Sequence, residues 1–131
     1  MTYLLDTHIW IWLLDCPEKL SVAAAEAIND PAGGCCGVAD ISIWEIARKE
    51  SLGKLELSLS SRIWLCRATQ SPGIEMLRAD AEIAWESCNL PGEFHRDPAD
   101  QIIVATARIL GLTLITRDEK ILNYSGVKAL W

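Results

Sequence analysis

No two of the five cysteines in this chain are spaced as CxxC, and their number is odd. Neither a disulfide framework nor a zinc ribbon is indicated, so Cys16, Cys35, Cys36, Cys66 and Cys88 are expected to be buried, reduced thiols. Long apolar runs are missing as well: the longest, Ile9 to Leu14, is too short to cross a bilayer. The first residues lack the basic, apolar and small-residue segments of a signal peptide, which leaves the cytoplasm as the expected compartment and no membrane as a partner. Basic residues are outnumbered 12 to 18, and a formal net charge of −6 argues against holding nucleic acid by general electrostatics. Any nucleic-acid chemistry would need local basic residues and a metal.

What remains is a composition suited to one packed core. Half of the 131 residues are hydrophobic and 23% are charged, which argues against disorder and for a single domain over residues 1–131. There is no internal repeat, low-complexity tract or linker.

Short apolar segments alternate with helical ones. Tyr3-Leu4-Leu5, Cys35 to Ala39, Ile74 to Leu77, Leu112 to Thr116 and Val127 to Leu130 read as strands. Between them, helices are expected over about Ile9 to Leu14, over Val22 to Ile28 after Ser21, and from Ser42 to near Gly53, where Ser42 and Glu45 match a capping box. Another opens at Ser60 or Ser61 with Ile63, Trp64, Arg67 and Ala68 on one face, and a further one follows Asp80. Asp97-Pro98 supplies an N-cap and a first-turn proline for a helix running to Gly111, and Asp118 to Leu122 forms a helical turn. This alternation predicts an α/β fold in which helices cover both faces of a parallel sheet of about five strands.

Four acids fall at the ends of these segments: Asp6, Glu45, Asp100 and Asp118. Each has an ordinary explanation as a helix cap or first-turn acid. Taken together they suggest more, because Asp6 and Asp118 follow buried strands while Glu45 and Asp100 begin helices that enter from the same end. Ligands of open parallel sheets bind outside the carboxyl ends of the strands. Carboxylates gathered there repel one another, and protonation or a bound cation relieves the repulsion. A hard-metal site is the leading hypothesis.

The opening Leu4-Leu5-Asp6-Thr7-His8, the helix start Ser42-Ile43-Trp44-Glu45-Ile46-Ala47, the run from Arg96 through Asp97 and Asp100 to Ala107, and Leu114-Ile115-Thr116-Arg117-Asp118 together resemble the PIN-domain ribonucleases. More narrowly, they resemble the toxin half of a VapBC-type toxin–antitoxin pair. The resemblance implies a three-layer α/β/α domain and a magnesium- or manganese-dependent endoribonuclease that hydrolyses RNA and limits growth until an antitoxin protein blocks it. It also implies a homodimer with an antitoxin groove lined by apolar helices, for which Trp12 and Trp64 are candidate contacts. Asp6, Glu45 and Asp100 match the family's acidic triad, Asp118 its frequent fourth acid, and Thr7 and Thr116 its accessory hydroxyl positions. Asp97 either assists the metal or caps its helix.

Magnesium prefers oxygen ligands and keeps several waters, so a few carboxylates suffice to hold it. Arg96 and Arg117 are candidate phosphate contacts or surface charges, while Arg48 and Lys49 lie one turn after Glu45, where Lys49 also suits an ordinary helix pair. A metal-generated hydroxide removes the need for either histidine, His8 or His95, as general base. Helical spacing favours burial for most of the six tryptophans, although some are able to stack on bases. Three other readings compete, of which a receiver domain lacks the adjacent pair of acids expected after the first strand. A haloacid-dehalogenase-like phosphatase wants a second Asp two residues after the first, where His8 stands. An inactive RNA- or protein-binding module is expected to have lost acids, and all four are present.

Overall fold

In the computed structural model, which describes residues 1–131, five strands form one parallel sheet in the order β3-β2-β1-β4-β5. They are β1 (Tyr3–Leu5), β2 (Cys36–Ala39), β3 (Ile74–Leu77), β4 (Thr113–Ile115) and β5 (Ala129–Leu130). Seven helices connect and cover them: α1 (Thr7–Asp15), α2 (Val22–Asn29), α3 (Ile41–Ser51), α4 (Ser61–Ala68), α5 (Ala81–Ser87), α6 (Pro98–Leu110) and α7 (Glu119–Leu122). This is the expected three-layer α/β/α arrangement.

Alternate residues of each strand supply two cores. Leu5, Val38 and Ile115 face Ile9 and Trp10 of α1, Ala24 of α2 and Trp64 of α4. Leu4, Ala39 and Leu114 face the other way, onto Ile103, Val104 and Ala107 of α6 and Ile121 of α7. Burial on both faces is why the three inner strands, β2, β1 and β4, read as short apolar runs. The strands are shorter than the sequence suggests, because β4 pairs only opposite the three residues of β1. At the far end of α6, Gly111 closes the helix with φ 65, the left-handed conformation that favours glycine.

Several expectations are corrected. Helix α3 starts directly after β2, with Asp40 as N-cap, so Ser42 lies inside the first turn and forms no capping box with Glu45. Its hydroxyl is instead buried and pairs with Thr7 Oγ1 at 2.8 Å, which ties α3 to α1. On α4, Trp64 and Ala68 are buried, but Ile63 points to solvent. Trp64 packs edge-on against Trp10 at 5.2 Å and donates its indole N–H to Asp15 at 2.9 Å, so it is a core residue with no free face for a partner. Burial pushes the Asp15 carboxyl up, but its hydrogen bonds from Trp64 and Ser58 outweigh that and hold it below its ordinary range. Among the cysteines only Cys36 is buried, since Cys66 lies on the outer side of α4 and Cys88 ends α5. Trp10 and Trp64 are the fully enclosed tryptophans; Trp12 and Trp131 are partly covered, and Trp44 and Trp85 are exposed. No helix is long and apolar enough to cross a membrane.

Replacing Leu114, wholly buried in the central layer, by Ala is expected to cost about 3–5 kcal/mol in chemical denaturation, against less than about 0.5 kcal/mol for Trp85→Ala at the surface. Equal costs would contradict this placement of the core.

Candidate metal centre

Asp6 leaves β1 and caps α1, accepting a hydrogen bond from Thr7 N–H at 2.8 Å on one oxygen. Its other oxygen accepts from the Thr116 hydroxyl at 2.7 Å. Thr116 follows β4, the strand beside β1, and its hydroxyl oxygen in turn accepts the Asp118 N–H at 3.0 Å. One threonine thus fixes the carboxylate on the first strand and the loop after the fourth. Here the chain switches from building the sheet on one side of β1 to building it on the other, which is where open parallel sheets bind ligands.

The other acids arrive from helices. Glu45, buried on α3, pairs with Lys49 one turn later at 3.4 Å. Asp97 caps α6 by accepting the Asp100 N–H at 3.1 Å, which places Asp100 in the first turn, facing the same cleft. His95 Nε2 lies 3.1 Å from an Asp100 oxygen, yet its alignment forms no hydrogen bond, leaving a buried nitrogen without a partner. Oxygens and nitrogens of two groups come within 4.8 Å of one another: His95, Asp100 and Asp118, and Glu45, Asp97 and Asp100. Asp100 belongs to both. A cleft of about 660 Å³ joins these residues to Asp6, with Trp12, Lys49 and Arg117 on its walls.

The charges in this cleft are unbalanced. Burial and the nearby charges of Asp6, Asp97, Glu45 and Asp118 push the Asp100 carboxyl up to about 8. Burial also raises Asp6, against the lowering influence of its hydrogen bonds from Thr116 and Thr7. At about 8, Asp100 keeps a proton at neutral pH unless a cation replaces it.

Of the positions singled out from sequence, Asp6, Glu45, Asp97, Asp100, Asp118 and Arg117 line this one cleft. Thr116 acts on it through Asp6, whereas the Thr7 hydroxyl is turned to Ser42 and only its N–H reaches Asp6. Arg96 is exposed and outside the lining, because the chain turns at Asp97 and presents His95 instead. His8, His95, Glu119 and Lys120 are lining residues not chosen from sequence. Arg117 stands over the Trp12 ring at 5.8 Å.

The family model described as PIN domain matches residues 3–127. The chain belongs to the PIN-domain family. Ribonuclease VapC22 of Mycobacterium tuberculosis is 31% identical to it over 123 residues, 94% of this chain and 92% of that protein. Among solved structures, VapBC of Salmonella typhimurium bound to DNA shares the fold with a TM-score of 0.69 at 18% identity, covering 99% of this chain and 97% of that one. The sarcin-ricin-loop-cleaving toxin VapC20 of Mycobacterium tuberculosis superposes with a TM-score of 0.62 at 15% identity, over 97% and 99% of the two chains.

The donor set of this PIN domain fits a hard divalent cation. It is almost entirely carboxylate oxygen, with one unpartnered imidazole nitrogen beside it.

The raised Asp100 carboxyl means that the folded, metal-free protein retains a proton that the unfolded chain loses above its ordinary value of 3.8. Folding stability should therefore fall as pH rises from that value to about 8 and level off beyond it. Thermal melts in EDTA across this range are expected to show the fall, and Asp100→Asn is expected to flatten it and raise Tm at pH 8. A variant that melts lower than the parent at that pH would contradict the repulsion.

Proposed function

We propose that this PIN domain, taken as residues 1–131, is a magnesium- or manganese-dependent endoribonuclease, the growth-limiting toxin of a toxin–antitoxin pair. It works in the cytoplasm as a homodimer and is held in check by a cognate antitoxin protein. The observation that carries this reading is the meeting of Asp6, Glu45, Asp100 and Asp118, from four separate segments, in one cleft. The relative named as a ribonuclease over nearly the same length supports it.

Asp6, Glu45, Asp100 and Asp118 would hold the ion, with Asp97 at the rim and His95 as an accessory nitrogen donor. When bound, a divalent ion supplies Lewis acidity toward a phosphate oxygen and makes water a better nucleophile near neutral pH. The chain's own residues do the rest. Thr116 and Thr7 N–H fix the Asp6 carboxylate in one orientation, so its remaining lone pairs point in a set direction. Lys49 offsets the charge of Glu45 and places a cation within reach of a scissile phosphate. Arg117, supported by Trp12, presents a guanidinium to the strand at the opposite wall.

The phosphatase alternative fails on family membership and on the absence of an acid at position 8. An inactive binding module is the remaining alternative, and retention of every acid disfavours it.

Hydrolysis of a mixed RNA pool is expected with magnesium or manganese, is expected to stop in EDTA, and should fall by about 100-fold or more in Asp6→Asn and in Asp100→Asn. Undiminished cleavage by Asp6→Asn would overturn the mechanism. Binding of RNA without cleavage under any metal would favour the inactive module.

A further inference from the structure

Beside the acid cleft lies a second hollow of about 230 Å³, which shares Glu45, Lys49 and Asp97 with it and is further lined by Trp44, Arg48 and Lys54 and by the apolar Leu52, Pro98 and Ala99. Trp44 is 55% exposed, a costly placement for the largest apolar side chain in a chain that buries Trp10 and Trp64 completely. The Arg48 guanidinium sits 5.8 Å from its ring. Trp85 is exposed too, but no cation stands over it. The hollow carries two acids, Glu45, which pairs with Lys49, and Asp97, while Arg48 and Lys54 make no ion pair and are left to face a ligand.

This combination suits one ligand chemistry. A nucleotide offers a flat base, which stacks on an indole, joined to a phosphate, which pairs with Arg or Lys. The hollow lies below the ~300–1,000 Å³ of sites for drug-sized ligands and is suited to one planar ring system. Bases within an A-form duplex have both faces covered, so only an unpaired base is able to stack here. Because the hollow shares Glu45, Lys49 and Asp97 with the acid cleft, a nucleotide held in it would lie next along the strand to a phosphate among the carboxylates.

We propose that Trp44, with Arg48 and Lys54, forms a stacking subsite for an unpaired RNA base adjoining the scissile phosphate. This rests on the ribonuclease reading above. Trp44 is a positioning residue and touches no reacting atom.

The test compares the parent, Trp44→Ala, Trp44→Phe and Arg48→Ala on a mixed-sequence single-stranded RNA pool and on duplexes of the same strands, by cleavage kinetics with manganese. Trp44→Ala should raise KM on single strands about 10-fold with kcat changed less than about twofold, and Trp44→Phe should restore most of the loss. Arg48→Ala should raise KM and weaken its dependence on salt. Duplex should be a poor substrate for the parent, with little further loss in Trp44→Ala. Unchanged KM in Trp44→Ala would overturn the subsite. So would a loss of self-association or of antitoxin binding in size-exclusion chromatography with KM unchanged, which would make the Trp44 face a protein interface. A parent that cleaves no RNA with any divalent metal would instead sink the ribonuclease reading, and this subsite with it.

Discussion

Carboxylates that meet in a half-buried cleft raise one another's free energy, and in this protein the repulsion converges on Asp100. Its first-turn position on α6 would ordinarily favour a negative charge. Burial and four neighbouring acids overcome that preference and leave the group needing a proton when no cation is present. The site is thus a local cost that the two apolar cores must support. A fold whose three inner strands are enclosed by helices is able to do so, because its apolar cores lie away from the sheet's carboxyl edge.

The convergence depends on a few polar contacts that the cores position. Pairing of β1 with β4 places Asp6 beside Thr116, and the Thr116 hydroxyl bridges Asp6 and the Asp118 backbone. Ser42 and Thr7 join the starts of α3 and α1, so Glu45 enters at a fixed height above the sheet. Asp97 does the same for Asp100 by capping α6. Hydroxyls and caps that look like routine helix chemistry therefore set the geometry of the acids.

Much of this was legible in the sequence. Apolar runs bounded by turn residues located every strand, and the pairing of Asp97 with Pro98 located the start of α6 to the residue. The four acids were found because each closes a strand or opens a helix, and both periodicities appear in a linear reading. What escaped was whatever depended on a partner distant in sequence. Ser42 reads as a cap because Glu45 stands three positions after it, but its partner is Thr7, thirty-five positions earlier. Trp64 looked available because helical spacing does not reveal that Trp10 and Asp15 enclose it. Arg96 and His95 are adjacent, and only the turn into α6 decides which of them faces the acids.

The surface divides in a way that net charge conceals. Six acids gather at the cleft, and basic side chains stand on aromatic supports beside it, Arg117 over Trp12 and Arg48 over Trp44. The central claim is that the acids form a cation site whose occupation displaces a proton. Calorimetric titration of the metal-free protein with manganese at pH 7, in two buffers of different ionisation enthalpy, measures that proton directly. The account predicts saturable binding with release of close to one proton, lost in Asp100→Asn. Binding with no proton released, or binding that survives the substitution unchanged, would contradict it.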